Sequence, residues 1–457
     1  MALSIVILAA GQGTRMLSLR PKVLHELAGK PLLQHVYDAA NVLAPARVVV
    51  VYGHGGERVR ERCSQIKAHW VEQPQQLGTG HAVQQALPYI PEQDLVLVLC
   101  GDVPLITAET LQRLIAAAAD SGFGLLTVTL DDPTGYGRIV RDEQRKVIGI
   151  VEERDATPEQ RMIKEINTGL MAVSAQWLHE WLSRVGCENV RGEYYLTDIV
   201  TVAAAARHSI STVSPNCEAE VRGVNDQAQL AQVENHFRAR QAHSLMLQGL
   251  TLIDPARFDL RGKLAFGTDC VVDINVILEG VVRFGNRVRI GANTVIRDSE
   301  LGDDVVILPN CVIESSFIDR CSQLGPFARL RPESKLHEDV RIGNFVEIKK
   351  SEIASGTKIN HLSYVGDTHV GKNVNVGAGT IVCNYDGANK HRTVIGDGVF
   401  VGSDTQLVAP VTVGEGATIG AGTTVTEDVP PGVLALSRTP QITIPRWQRP
   451  QKKKPHS

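Results

Sequence analysis

Two patterns of apolar residues divide the chain. Up to about residue 225, continuous apolar runs alternate with helically spaced ones. The runs "LSIVIL", "RVVVVY" and "DLVLVLC" have no polar face, as expected of strands covered on both sides. Between them, "PLLQHVYDAANVL" and "TAETLQRLIAAAA" repeat apolar residues at intervals of three and four, which predicts helices. This alternation predicts an open, Rossmann-like α/β sheet whose ligands bind beyond the carboxyl ends of the strands. From about Asn225 to Gln248, Leu230, Val233 and Phe237 recur at helical spacing among polar residues and predict a connecting helix.

After about residue 250 the period becomes six. One run is Val272, Leu278, Phe284, Ile290 and Ile296. A second passes from Ile318 through Leu324, Leu330, Leu336 and Ile342 to Ile348, and a third from Ile395 through Val401, Leu407, Val413 and Ile419 to Val425. Between runs the register slips by single residues. Six is a multiple of the two-residue strand period, so each of these aliphatics points inward from a short strand. Glycine often follows the aliphatic, as at 291, 343, 396 and 420, and is expected to let the chain turn. Stacked hexads wind into a parallel β-helix with three short strands per coil. At about 18 residues per coil and ~4.8 Å between strands, Val272 to Val425 makes a prism roughly 40 Å long. The expected organisation is an α/β domain over 1–225, a linker helix over 226–248, a β-helix over 249–437 and a basic tail over 438–457.

Composition narrows the partners. The 47 basic and 50 acidic side chains leave a formal charge of −3, which gives no bulk attraction to nucleic acid or membrane. The tail "RWQRPQKKKPHS" is the basic exception and reads as a mobile end. Eight cysteines never approach a CxxC spacing, so they read as small buried apolar residues in a reducing compartment rather than as a zinc site. No Lys or Arg precedes the opening apolar run and polar residues follow it at once, which argues against a signal peptide. A cytoplasmic protein is expected.

The candidate chemistry begins where the first strand breaks into Gly11-Gln12-Gly13-Thr14-Arg15. The third glycine of a dinucleotide fingerprint and the GKS or GKT of a P-loop are both missing. A strand-to-glycine turn still exposes backbone N–H groups suited to phosphates, and Arg15 and Lys22 add positive charge. Asp102 ends a buried strand in "LVLVLCGDVP", where a carboxylate suits either a turn or Mg²⁺. In the hexad half, His361 in "NHLSYVG" stands out as a proton acceptor for neutral pH. Arg331, Lys349, Tyr364 and Asn375 follow at intervals of about one coil, which predicts their gathering near one face. Arg and Lys there suit a sugar phosphate, Tyr and Asn its hydroxyls.

The segments "LAAGQGTRM", "RPKVLHELAGKP", "QLGTGHA", "GDVPL", "GYGRI", "EINTG" and "GEYYLTDIV" resemble, in order, those of sugar-phosphate nucleotidyltransferases. With "GPFARLRP", "NFVEIKK", "NHLSYVGD", "NVNVGAGTIVCNYDGANKHRT" and "VGSDTQLVAPV", the whole chain resembles the bifunctional bacterial N-acetylglucosamine-1-phosphate uridylyltransferase/glucosamine-1-phosphate N-acetyltransferase family. The resemblance implies a left-handed coil, homotrimers joined through the β-helix, and acetylation before uridylylation. In the first half it implies that Asp102 and Asn225 hold Mg²⁺ while Arg15 and Lys22 grip the UTP phosphates. It places the nucleotide along Leu8, Ala9, Ala10 and Gly11 and beside Cys100 and Gly101, with Gln73, Gly78 and Thr79 at uracil and ribose. Gly137, Glu152 and Asn167 would hold the sugar. Cys100 departs from the family, where a tyrosine is often expected. In the second half the resemblance makes His361 the general base on the amine of glucosamine 1-phosphate, with Glu347 a candidate to orient its ring. Arg331, Lys349, Tyr364 and Asn375 would bind that substrate, and Ala378, Asn384, Tyr385, Ser403, Ala421 and Arg438 acetyl-CoA.

Two other readings remain open at this level. A nucleotidyltransferase can use a β-helix only for assembly or regulation, and a non-catalytic subunit can retain both folds. Release of CoA thiol separates the first from a bifunctional enzyme. Pyrophosphate release from UTP excludes the second.

Overall fold

The computed structural model describes residues 1–53 and 55–450. The last part of the basic tail, 451–457, therefore lies outside the described residues. The chain divides into a unit spanning Met1–Arg240 and a second beginning at Gln241. The division falls inside one helix, Gln227–Leu247, in the stretch where the sequence predicts a connecting helix.

In the first unit the elements that position a site are β1 (Leu3–Ala9), α1 (Leu32–Asn41), β2 (Arg47–Tyr52), β3 (His69–Glu72), α2 (Thr79–Ala86) and β4 (Leu95–Cys100). They are followed by α3 (Ala108–Ser121), β5 (Phe123–Thr129), β6 (Glu165–Ser174), β7 (Ser211–Val213) and α4 (Gln227–Leu247). The main sheet runs β7-β5-β6-β4-β1-β2-β3, and a hairpin of Arg138–Arg141 and Val147–Val151 extends it beside β6. β1 lies parallel between β2 and β4, while β6 is antiparallel to both β4 and β5. The apolar runs are continuous because both faces are covered: Ile5 and Ile7 enter one core and Val6 another. Leu230, Val233 and Phe237 of α4 pack with Met16, Leu27, Leu32 and Leu105.

In the second unit short parallel strands stack into a β-helix. One sheet of eleven strands climbs from Thr251–Leu252 to Leu434–Ala435, and a sheet of seventeen supplies the other two strands of each coil. The hexad aliphatics fill its core; Leu278, Ile296, Leu330, Ile348 and Leu407 are fully buried. Successive coils are offset by 17 or 18 residues, so the slips in the period are five-residue steps such as Ile296 to Leu301 and Ile348 to Ile353. One coil is longer because "NYDGANKHR" leaves the helix as an excursion, closed by a bridge between Tyr385 and Lys390. Outside the core, Arg261, Glu279, Arg297 and Glu314 form a ladder of alternating charge, each paired with the next coil.

Two expectations need correction. Apart from Gly325, at φ 94°, the glycines after the aliphatics are not left-handed turns. Gly291 has an ordinary φ, and a Cβ there would come within 2.7 Å of Pro309 N on the next coil, so it is close stacking that requires glycine. The left-handed corners are carried by side-chain-bearing residues, including Asn275, Asn293 and Asn310, whose amides bond to one another up the column. Asn tolerates this conformation better than most residues. Nor are the cysteines generally buried. Cys63, Cys270 and Cys311 are, Cys100 and Cys383 are intermediate, and Cys187, Cys217 and Cys321 are exposed. Among the described residues no helix is long and apolar enough to cross a membrane.

Candidate active sites

At the carboxyl ends of β1 and β4 the first unit holds a cavity of about 600 Å³. Leu8 pairs with Cys100, and Gly101 N–H donates to Leu8 O at 2.9 Å, so the two strand-end turns lie side by side. Leu8, Ala9, Ala10, Gly11, Lys22, Gln73, Gly78, Thr79, Cys100 and Asp102 all line the cavity. A Cβ on Gly11 would meet no protein atom within 4 Å, so protein packing does not demand glycine there. Gly13 is different. Its φ of 62° and the 2.7 Å from its virtual Cβ to Lys22 Cβ show that glycine lets Lys22 close over the turn.

Charge concentrates at one end of this cavity. Lys22 Nζ donates to Asp102 Oδ2 and reaches Asn225 Oδ1 at 3.3 Å, while Arg15 Nη2 donates to the same Asn225 oxygen at 2.9 Å. Asn225 is held by its own N–H, which donates to Gln229 Oε1 at 2.8 Å, and its neighbour Val224 N–H donates to Asp102 O at 2.9 Å. A carboxylate oxygen and an amide oxygen thus converge on one cation, with the Lys22 ammonium standing there. Hard oxygen donors so placed fit a divalent cation. Cys100 is inert by comparison: burial pushes its thiol up to about 12, and Sγ lies 3.7 Å from Gly169 O.

Gly137, Glu152 and Asn167 are brought together, but beside the cavity lining rather than in it. Asn167 N–H donates to Gly137 O at 2.8 Å, and a Cβ on Gly137 would lie 3.3 Å from Glu152 Oε1. Burial raises the Glu152 carboxyl pKa, opposed by the Thr197 hydroxyl that donates to it at 3.2 Å. Asn167 Oδ1 accepts from Gly169 N–H, which ties this cluster to Cys100. Sequence reasoning missed Gln12, Gln76, Arg191 and Glu193, which also line the cavity. Their signal was proximity to quoted motifs: Gln12 lies inside "GQGTR", and Glu193 is the second residue of "GEYYLTDIV".

In the second unit His361 ends the strand Lys358–His361 and is exposed. Its Nδ1 lies 3.0 Å from Asn344 Oδ1, its register partner on the preceding coil. An amide oxygen accepts only, so Nδ1 carries the proton and Nε2 keeps a free lone pair. Glu347 does not orient this ring. Its Oε1 accepts from Arg331 Nη1 at 3.0 Å, because Glu347 stands past the corner on the next face. Asn375 also departs from expectation. It pairs with Lys358 and Phe400 in the eleven-stranded sheet, whereas Lys349 and Tyr364 belong to the other sheet and Arg331 directly follows one of its strands.

Around that corner, Lys349 Nζ lies 3.7 Å from Asp367, whose other contact is Asn384 Nδ2 at 2.5 Å. A Cβ on Gly366 would strike both the Tyr364 hydroxyl and Asn384, so these groups crowd one spot. The ammonium of Lys349 also holds the pKa of Lys390, in the excursion, below the ordinary lysine value. Tyr385 is exposed, with its hydroxyl donating to Gly387 O at 2.6 Å. The column above His361 is small. Asp404 N–H donates to Ala378 O, Gly422 N–H to Ser403 O, and Arg438 Nε to Ala421 O at 3.2 Å, so Ala378, Ser403 and Ala421 follow coil by coil.

The description "MobA-like NTP transferase domain" matches residues 5–155. "Bacterial transferase hexapeptide (six repeats)" matches residues 392–427. Among solved structures, a UDP-glucose pyrophosphorylase complexed with UDP-glucose is similar at 18% identity and a TM-score of 0.43, over 52% of this chain and 100% of that one. The chain joins a nucleotidyltransferase-type α/β unit to a hexapeptide-repeat β-helix of the transferase kind.

Proposed function

We propose that the chain is a bifunctional enzyme that acetylates glucosamine 1-phosphate from acetyl-CoA and then joins the product to UMP from UTP. The observation carrying the two-reaction reading is the bond from His361 Nδ1–H to Asn344 Oδ1, which leaves Nε2 as a base at an exposed position. The amine nitrogen of glucosamine 1-phosphate attacks the thioester carbonyl, its proton passes to His361 Nε2, and the C–S bond breaks to release CoA. Arg331, Lys349 and Lys390 supply positive charge for the sugar phosphate, with Tyr364 for its hydroxyls, while Asn375 would have to reach the same substrate from the other sheet. The small column of Ala378, Ser403 and Ala421, flanked by Asn384, Tyr385 and Arg438, suits the extended arm of CoA.

In the first unit a phosphate oxygen of N-acetylglucosamine 1-phosphate attacks the α-phosphorus of UTP, and the bond to the pyrophosphate leaving group breaks. Two anions must meet in line, so charge neutralisation and positioning are the protein's contribution. Arg15 and Lys22 hold the triphosphate against the Gly11 turn. Gln73, Gly78 and Thr79 hold uridine, while Gly137, Glu152 and Asn167 hold the sugar. Asp102 and Asn225 are the residues that would hold Mg²⁺, whose chemistry is to lower repulsion at the α-phosphate. Homotrimerisation through the β-helix is part of the same proposal.

One experiment tests both halves. Purified protein receives glucosamine 1-phosphate, acetyl-CoA, UTP and Mg²⁺, and each is then omitted in turn. CoA thiol should appear without UTP, and pyrophosphate only when acetylated sugar phosphate is present or formed. Absence of thiol release would leave the β-helix as an assembly domain.

A further inference from the structure

Gln73 follows β3 and is buried, with its carboxamide lining the nucleotide cavity. Its Nε2 has two partners, Gly78 O at 3.0 Å and His81 Nδ1 at 3.0 Å. His81 lies in the first turn of α2, and its Nε2 is 3.2 Å from Gln85 Nε2, one helical turn further on. A carboxamide nitrogen has two hydrogens, and both are used here only if Nδ1 is bare. His81 then carries its proton on Nε2, and two donors would face each other there unless the Gln85 amide, whose ends are assigned by the hydrogen-bond network, turns its oxygen to the ring. With its nitrogen spent on Gly78 and His81, Gln73 has its oxygen left for a ligand.

We propose that His81 is a positioning residue: by holding the Gln73 amide in one orientation, it makes the cavity select uracil over cytosine. This rests on the reading of the cavity as a nucleotide site. The imide N3–H of uracil donates to Gln73 Oε1. Cytosine presents a lone pair at N3, which opposes the oxygen. Accommodating cytosine requires the amide to turn over, and that sets its oxygen against Gly78 O and the bare Nδ1. Buried polar groups left mismatched in this way discriminate far more strongly than a change of size does. Gly78 O and the bare Nδ1 of His81 both accept from the Gln73 amide, so the histidine behind it reinforces the choice of base.

The test is the ratio of kcat/KM for UTP to that for CTP in pyrophosphate release, in the full chain with acetyl transfer as a control for folding. The parent should prefer UTP by at least about 100-fold. His81→Leu should lower the ratio about tenfold or more, chiefly through KM for UTP. His81→Asn, whose Oδ1 accepts near the place of Nδ1, should restore it. Gln85 offers a version that leaves both residues in place. Gln85→Lys puts a donor against Nε2, moves the ring proton to Nδ1 and should lower the ratio, whereas Gln85→Glu keeps an acceptor there and should preserve it. Equal ratios in all four variants would overturn the role of His81. A parent that turns over neither nucleotide would instead overturn the functional reading.

Discussion

Gly78 offers the sharpest test of how the nucleotide cavity is built. It sits at φ 112° and ψ 174°, a region essentially closed to side-chain-bearing residues. A Cβ there would lie 2.5 Å from Tyr194 O and 2.8 Å from Tyr194 N. The two segments meet so closely because Gly80 N–H donates to Tyr194 O at 2.8 Å and Tyr194 N–H to Leu77 O at 2.8 Å. Gly78→Ala must part them by about 1 Å to reach ordinary contact distance. The backbone conformation costs about 1–3 kcal/mol. Weakening the two bonds adds about 1 kcal/mol or more, giving roughly 2–4 kcal/mol in all.

That strain is relieved if the loop leaves its place. The same loop carries Thr79 and the carbonyl that holds Gln73, so relief comes at the expense of nucleotide binding. The expected loss in kcat/KM for UTP is roughly 30- to 1000-fold, at about 1.4 kcal/mol per tenfold. Initial rates of pyrophosphate release measure it, and thiol release by the same sample reports whether the protein is otherwise intact. A variant with kcat/KM for UTP within threefold of the parent would refute the account of this crossing. So would a parallel fall in both activities.

Four further outcomes follow from particular contacts. Asp102→Ala should lower uridylyl transfer by about a thousandfold or more while leaving acetyl transfer within twofold, and equal losses in folded protein would contradict two separate sites. Asn344→Ala frees the His361 ring and should lower kcat for acetyl transfer about tenfold with little change in KM; an unaltered kcat would remove Asn344 from the mechanism. Leu330 is fully buried in the stacked core, so Leu330→Ala should cost about 2–5 kcal/mol in urea denaturation followed by circular dichroism. Burial holds the His35 imidazole at about 4, below its ordinary 6.5, with Nε2 donating to Leu27 O at 2.8 Å. The unfolded chain takes up that proton first, so the stabilisation is complete above pH 6.5 and is lost as pH falls toward 4, by about 3 kcal/mol. Urea melts followed by tryptophan fluorescence should show that slope, and His35→Gln should reduce it; His25, also lowered by burial, retains part.

The sequence made the strands legible wherever burial is uniform. "RVVVVY" is a strand to the residue because both of its faces meet apolar cores, and the hexads were legible for the same reason. Lys22, Asp102 and Asn225 were drawn together by resemblance, since nothing local indicates that residues so far apart share one cation position. Arg191 and Glu193 escaped notice because they reach the cavity on an irregular loop, whose path is set by backbone bonds to Gly80 and Leu77 rather than by any periodic pattern. Apart from Gly325, the glycines after the aliphatics were assigned the wrong cause. Sequence shows that a small residue is needed, but close stacking and a left-handed turn leave the same mark, and only coordinates separate them.

The placement of His361 shows why a repeat must be counted with its slips. A uniform step of 18 residues before His361 lands on Gly343, and nearness in sequence favours Glu347. The coil between them is a residue short, so the stacking step is 17 and delivers Asn344. An error of one residue would turn the opposing side chain to the other side of the strand, since strand faces alternate. The two candidates are chemically unequal. A carboxylate against Nδ1 would favour the protonated ring, whereas a neutral amide oxygen fixes the tautomer without adding charge. A base that must accept a proton from an amine at neutral pH is served by the second arrangement. Asn344→Asp should therefore move the pH profile of acetyl transfer to higher pH, by favouring imidazolium. A profile unmoved by that substitution would show that the ring's orientation and charge are set by something other than its neighbour one coil below.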